Sequence, residues 1–587
     1  MDAKSNLASF DVPFLAVIAI YLLSALYLAY GLQSLPTCPS CDYYFEQGNI
    51  IHLSQAFNLA SDSSTHLGHI SQGPQLYYYV PALMVFAFNI TAMQSSLAFS
   101  FLLIPVSLYI SYSLFKIVFK RNDIALLCTA MLISPASFPL FKYSEFAQVF
   151  SIPLFFYLLF LFDSSPKHKN ALFLGLGIGI MGLSHANTFF LSYVAMAAYA
   201  GLSFLDGGMR KLSLVTPGIA IACTAGFLIS LIWWYNPLFE FGGNPYLGFG
   251  FNTPNLSHPS VFAYETFSLF IGIFYNIGSL RLMLFSLICV LACGELIQSW
   301  KRNQLNLRVL VVCLAFFVAV FHFIITSPLF GKDFSPSHSF IFLFPVLAAF
   351  LTGMVFSNAK EGGLLVAAAI LLVVFAGILD VSERRSSGLY QLGFSKLPEC
   401  DVAAYAYVAQ NTGINDVFLS TPYVCNNLNG NTGRKCLQMD RGHSSKFDEM
   451  DSGFADSAII LYGNNTSEKL SLLRKRSVKY LYWNFNKNSI YGDEFFNVGN
   501  RTLYGHPMIY SREIEQALMH NGVGYYLDYT WIDSSMRGDL FRRYDVIALS
   551  PSNIQSISHP WKPDLDAYLE ESWRCGNASV IYRVIVD

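Results

Sequence analysis

The chain has 587 residues, of which 54% are hydrophobic and 13% charged, with a formal net charge of −2. Soluble domains carry about 25% charged residues, so most of this sequence is not built for water. The near-neutral balance excludes nucleic acid as a partner held by a basic face.

Apolar runs separated by short polar loops recur as far as Asp380. Beyond it the composition turns to mixed charge, Asn, Gly and alternating apolar residues. This predicts a membrane domain at 1–380 and a second domain at 381–587, roughly 200 residues, a size that one core can support. A helix needs ~20 mostly apolar residues to cross hydrocarbon. In chain order the predicted spans are approximately 13–31, 95–115, 123–141, 146–162, 170–185, 187–205, 212–235, 282–299, 309–329, 338–357 and 363–379, about eleven in all. Lys and Arg set the expected orientation. With the N-terminus inside, Lys4, Lys116, Lys120, Arg121, Lys167, Lys169, Arg210, Lys211, Lys301, Arg302, Arg308 and Lys360 are cytoplasmic, against Lys142, Arg281 and Lys332 outside. The odd span number then puts the C-terminal domain outside. Two further apolar stretches, 74–91 and 262–280, are expected to lie in the outer interface, which suits their Tyr and Phe.

In the second domain, helix-like and strand-like segments alternate. "VAAYAYVAQNTG" reads as a helix ending at a Gly stop, "DVFLST" as a strand, and "ASVIYRVIVD" as a closing strand. The fold class expected is therefore a polytopic α-helical membrane domain followed by a smaller extracytoplasmic α/β domain. Cysteine fits this layout. Cys128, Cys223, Cys289, Cys293 and Cys313 fall in spans, while Cys38, Cys41, Cys400, Cys425, Cys436 and Cys575 fall outside. An even external set suits disulfides, expected as Cys38–Cys41, Cys425–Cys436 and Cys400–Cys575. The polar "NTGRKCLQMDRGHSS" is expected as a solvated loop or an acceptor contact.

No Walker loop, GxGxxG, HExxH or GxSxG pattern occurs in a usable context. The spans are almost free of charge, unlike pumps and transporters, which keep ionisable residues in mid-membrane. Polar groups collect at the expected outer ends instead: Asp42, Glu46 and His52 after the first span, Lys142 and Glu145 before the fourth, His185 between the fifth and sixth, and Lys332 and His338 before the tenth. Each has an ordinary alternative. Asp42 either caps a juxtamembrane helix or acts as a general base. Glu145 either favours a helix dipole or shares that chemistry. Lys332 and Lys142 either snorkel or hold an anion. A cleft at this rim suits a substrate with its tail in lipid and its head in water. Transfer of a sugar from a polyprenyl phosphate needs one base for the acceptor and cationic or hydrogen-bonding groups for the departing phosphate.

The order of parts resembles the GT-C glycosyltransferase superfamily, and within it the catalytic subunit of oligosaccharyltransferase and its archaeal relatives. The residues that carry the likeness are "CDYYFEQGN" after the first span and "SPASFPLFKYSEFAQVFSIPLFFYLLFLF" between the third and fourth. The resemblance implies catalytic roles for Asp42 and Glu145 and a divalent cation (Mg or Mn) held by the same two carboxylates, while the polar groups gathered at the same rim, Glu46, His52, Lys142, His185, Lys332 and His338, are the expected substrate contacts. It implies as partners a polyprenyl-phosphate sugar donor, the lipid bilayer, and a protein or glycan acceptor. The chain departs from the oligosaccharyltransferase pattern in three places, one being that His338 or Lys332 stands where relatives often have an Arg at the outer mouth of a late span. Its only Trp-Trp pair, Trp233 and Trp234, lies in a predicted span, and its second outer loop has one acidic residue. Two alternatives remain at this level: a non-catalytic GT-C-like protein with a structural or partner-binding role, and a lipid-linked-sugar transporter.

Overall fold

The computed structural model describes residues 12–35, 42–56, 76–133, 140, 146–240, 279–301, 306–322, 336–357, 363–439, 450–484, 495–498, 501–532, 543–550 and 561–586. The N-terminal part is a helix bundle. Its elements are α1 (Val12–Ala29), α2 (Asp42–Gln55), α3 (Leu76–Phe88), α4 (Ala92–Phe119), α5 (Asn122–Leu132), α6 (Ile152–Ser164), α7 (His168–Ser184), α8 (Ala186–Tyr235), α9 (Ser279–Lys301), α10 (Leu307–Phe321), α11 (Pro336–Ser357) and α12 (Gly363–Ser386). Five helical segments among the described residues are long and apolar enough to cross a membrane. They expose large apolar side chains, among them Leu23, Leu102, Leu205, Leu228, Leu371 and Phe375. Such a surface needs lipid to cover it, and the chain is an integral membrane protein.

Helix α8 has 50 residues and would run about 75 Å if straight, against a hydrocarbon core of ~30 Å. It breaks at Gly208, whose φ is 60° and ψ −158°. The break falls beside Arg210 and Lys211, where the sequence predicts a loop between two spans. The second half of α8 returns along α7. A β-carbon on Gly179 would stand 2.5 Å from Cγ2 of Ile229, and one on Gly175 2.8 Å from Cβ of Ala225. Glycines at this spacing let two membrane helices touch at the backbone. Helix α3 has 13 described residues, about 20 Å of rise, and the residues before it, 57–75, lie outside the described residues. The stretch 262–280 lies outside the described residues. Helix α5 stops at Leu132 and α10 at Phe321, short of the predicted spans, with 134–139 and 323–335 outside the described residues. Helix α12 continues past the expected boundary at 381 to Ser386.

Two groups of contacts define the ends of the bundle. At one end Arg308 of α10 ties α4 and α6 together. Its Nε lies 2.9 Å from Oδ2 of Asp163, and it donates to Ser164 Oγ and to the carbonyl of Ile117. Lys116, Lys120, Arg121, Lys167 and Lys169 flank the same helix ends. At the other end the chain leaving α1 meets the chain leaving α12. Gln33 donates its backbone N–H to Gly393 O at 2.8 Å, and the Tyr390 hydroxyl donates to Leu28 O at 2.6 Å. The loop after α1 and the C-terminal domain therefore lie on the same side of the bundle.

The C-terminal domain contains α13 (Glu399–Asn411), β1 (Val417–Leu419), α14 (Pro422–Thr432), β2 (Lys435–Cys436), α15 (Met450–Tyr462), α16 (Thr466–Lys475), β3 (Val478–Asn484), β4 (Phe495–Val498), β5 (Arg501–Ile509), α17 (Arg512–His520), β6 (Tyr525–Ile532), β7 (Arg543–Leu549), β8 (Leu569–Cys575) and β9 (Ser579–Val584). One sheet runs β2-β1-β3-β9-β8, with β2, β1 and β3 parallel and β9 and β8 antiparallel; the other runs β4-β5-β7-β6, all antiparallel. The alternation of helices and strands is thus as predicted, and the second sheet extends it. Cys400 and Cys575 are bridged. Cys425 and Cys436, expected to be bridged, are instead buried thiols, with the Cys436 Sγ 3.7 Å from Cys425 O. Burial raises the Cys436 pKa well above its ordinary value, and the neighbouring Cys425 adds to this. Cys38 and Cys41 lie outside the described residues.

Candidate functional site

The end of the bundle that meets the C-terminal domain carries the candidate site. Asp42 is the first residue of α2. That helix is enclosed along nearly all its length: Tyr44, Phe45, Glu46, Asn49, Ile50, His52 and Leu53 are all buried. A helix buried on every side sits between two packed bodies. Tyr44, Ile50 and Leu53 belong to the apolar core of the bundle. Phe45 belongs to a core of the C-terminal domain, with Tyr405, Val408, Phe418, Leu428 and Tyr482.

His52 faces α14. Its Nδ1 lies 2.9 Å from Gly433 O. Burial lowers its pKa to about 4, opposed by the bond to Gly433 and helped by Lys435 and Arg434. Glu46, one turn after Asp42, is 2% exposed. These two expected substrate contacts therefore lie within the packed neighbourhood of α2.

Helix α3 links this neighbourhood to the segment that precedes α6. It packs on both α2 and α7. The Tyr77 ring lies 5.5 Å from that of Phe146, the residue after Glu145. The Tyr77 hydroxyl bonds to Ser151 Oγ, which lies 2.8 Å from Ser184 Oγ. Ser184 closes the group with a bond of 3.2 Å to Tyr77. Ser151 ends a single π-helical turn, Ala147–Ser151, a distortion that gathers at functional sites. Glu145 and Lys142 themselves lie outside the described residues.

His185 follows Ser184 directly. It caps α8 by accepting from the Asn187 backbone N–H at 3.2 Å, and its ring stands 5.0 Å from Phe342 of α11. His338 lies one helical turn before Phe342 in the same helix, so α11 also begins at this end. Lys332 lies outside the described residues. His322 joins the same end at the close of α10, its ring 5.3 Å from Phe190. Neither His322 nor the Tyr77–Ser151–Ser184 group is marked by any sequence pattern. Among the described residues no three His, Cys, Asp or Glu side chains form a set that could hold a metal ion.

No protein-family model matches the chain. A curated but uncharacterised protein of Methanocaldococcus jannaschii is 27% identical over 132 residues, 22% of this chain and 96% of that one. Among solved structures, the chain is similar to the Archaeoglobus fulgidus oligosaccharyltransferase in its apo form, with a TM-score of 0.49 and 11% identity, over 97% of this chain and 88% of that one. The archaeal oligosaccharyltransferase AglB from Archaeoglobus fulgidus in complex with an inhibitory peptide and a dolichol-phosphate gives a TM-score of 0.48, again at 11% identity over 97% and 88%. ArnT from Cupriavidus metallidurans bound to undecaprenyl phosphate gives 0.47, with 12% identity over 94% and 98%. At identities of 11–12%, function is read from this chain's own side chains.

Proposed function

We propose that the chain is a membrane glycosyltransferase that moves a sugar or oligosaccharide from a polyprenyl-phosphate donor to a protein or glycan acceptor. The reaction takes place on the side of the membrane that carries the C-terminal domain, which the Lys and Arg bias makes the outer side. The observation that carries this reading is the gathering of α2, α3, the π-helical turn, His185 and the start of α11 at one end of the bundle, on the side of the C-terminal domain. Asp42, at the start of α2, takes the proton of the acceptor nucleophile as that atom bonds to the anomeric carbon. The bond between that carbon and the phosphate oxygen breaks. Lys332, Lys142, His185 and His338 stabilise the phosphate as it leaves. Glu145 orients the acceptor or holds, with Asp42, a divalent ion such as Mg or Mn. No step depends on that ion.

The test is sugar transfer by purified protein in lipid, with dolichyl- and undecaprenyl-phosphate sugars as donors. Asp42→Asn and Glu145→Gln are expected to abolish transfer while donor binding persists. Wild-type protein that transfers nothing from any such donor, in a strain that both variants still complement, overturns the enzymatic reading.

A further inference from the structure

The contact between α2 and α14 is closer than ordinary side-chain packing allows. A β-carbon on Gly430 would stand 2.7 Å from Tyr44 Cδ1 and 2.8 Å from Tyr44 O. One on Gly433 would stand 2.9 Å from the backbone N of His52, and one on Gly48 would collide with the Asn429 side-chain amide. Glycine is therefore required on both helices for the backbones to meet. Gly433 is required twice over, because its φ of 69° is the left-handed region that ends a helix.

The polar groups sealed in this contact are held by the turn after α14. Arg434 is 3% exposed. Its guanidinium donates to the carbonyls of Ala409, Thr412 and Thr432 at 2.9, 2.9 and 2.7 Å, and to Gln55 of α2 at 3.3 Å. Its charge is thus spent on fixing the turn against α13 and the last turn of α2. Asn429 Nδ2 donates to Arg434 O at 2.9 Å, and the Gly433 carbonyl accepts from His52 Nδ1 at 2.9 Å. The segment Asn426–Lys435 that makes these contacts is bracketed by Cys425 and Cys436, the Cys436 thiol donating to the Cys425 carbonyl at 3.7 Å. Phe45 completes the grip from the other partner, inserted in the C-terminal core.

We infer that Asn429, Gly430, Gly433 and Arg434 are positioning residues: they clamp α2 from the C-terminal domain and so fix where its first residue, Asp42, stands. The inference deepens the glycosyltransferase reading and rests on it for its catalytic consequence. The C-terminal domain then serves the reaction by holding the first outer loop in register, whatever else it binds. A displacement of about 1 Å at a reacting group is enough to cost ~10²-fold in rate.

The experiment uses the full chain in lipid nanodiscs, with Gly430→Leu, the milder Gly430→Ala, and Arg434→Gln. Met519→Ala, at an exposed position of α17, is the control. Hydrogen exchange is read over residues 43–55 and over β3 and β9, and transfer kinetics are read in parallel. The expected result is exchange of α2 faster by about tenfold or more, unchanged protection of β3 and β9, and kcat reduced by about tenfold or more with KM for the donor held within about twofold. Unchanged α2 protection in all three variants overturns the inference, as does a loosened α2 with full kcat. A wild-type chain with no transfer activity overturns the enzymatic reading and the catalytic consequence together. The exchange arm still decides whether α14 holds α2.

Discussion

The bridge between Cys400 and Cys575 gives the account its most direct stability test. It joins the first turn of α13 to the end of β8 across 175 residues, with the two α-carbons 5.6 Å apart. Almost the whole C-terminal domain is thereby closed into one loop. In the chain-entropy treatment a loop of that size removes about 17 cal/mol/K from the unfolded ensemble, or about 5 kcal/mol at 25 °C. Measured losses for native bridges run from about 2 to 5 kcal/mol, against a typical total domain stability of ~5–15 kcal/mol. The perturbation is the double variant Cys400→Ser/Cys575→Ser in the full chain. The assay is urea-dependent proteolysis of the C-terminal domain in nanodiscs, with peptide mapping of the unreduced wild type as a companion. The expected result is a linked Cys400–Cys575 peptide and a loss of at least about 2 kcal/mol. Two free thiols at these positions, or a loss under about 1 kcal/mol, would refute the reasoning.

Other predictions follow from buried charges and close helix contacts. His52 has a folded pKa of about 4 against ~6.5 unfolded, so between these values the unfolded chain binds a proton that the folded chain does not. Stability is therefore full above about pH 6.5 and falls as the pH drops toward 4, by up to about 3 kcal/mol. His52→Gln should flatten that acid limb in a pH series of α2 hydrogen exchange, and an unchanged limb would contradict the placement of His52. The Lys469 side chain is fully buried and pairs with Asp564 at 2.7 Å, so Asp564→Ala leaves an enclosed ammonium without its carboxylate. A loss of about 3 kcal/mol in the same urea assay is expected, and a neutral result would show that water reaches the pair. In the membrane domain Gly179→Leu drives a side chain into Ile229 and should separate α7 from the second half of α8. Loss of a cysteine cross-link engineered between those helices would report it, and wild-type cross-linking would contradict the packing.

The elements legible in the sequence were those governed by local rules. Helices α1 and α4 follow from apolar length. The break in α8 at Gly208 follows from the basic pair at Arg210 and Lys211, and β1, β3 and β9 follow from alternation. The distant bridge from Cys400 to Cys575 was also legible, because both fall in the domain with the external cysteines. Helix α2 was not. Glu46 and His52 read as substrate contacts of an open outer loop because the surface that buries them arrives from far along the chain: His52 meets Gly433 across 381 positions. "NTGRKC" looked like a solvated loop for the same reason, since nothing local shows that Arg434 finds its carbonyl partners in α13 and in its own turn. Cys425 and Cys436 are close enough in sequence for a local bridge, and the structure instead keeps both as buried thiols, with the Cys436 Sγ on the Cys425 carbonyl. The Tyr77–Ser151–Ser184 group draws single hydroxyls from α3, the π-helical turn and α7. Such residues carry no periodicity to betray them.

The most direct measurement is single-turnover transfer from a polyprenyl-phosphate sugar by wild-type protein and by Asp42→Asn, at saturating donor. The account predicts product with the wild type, and at least about 10²-fold less with the variant, while the variant still binds the donor. Equal rates for the two proteins would contradict the assignment of Asp42 as the acceptor's base.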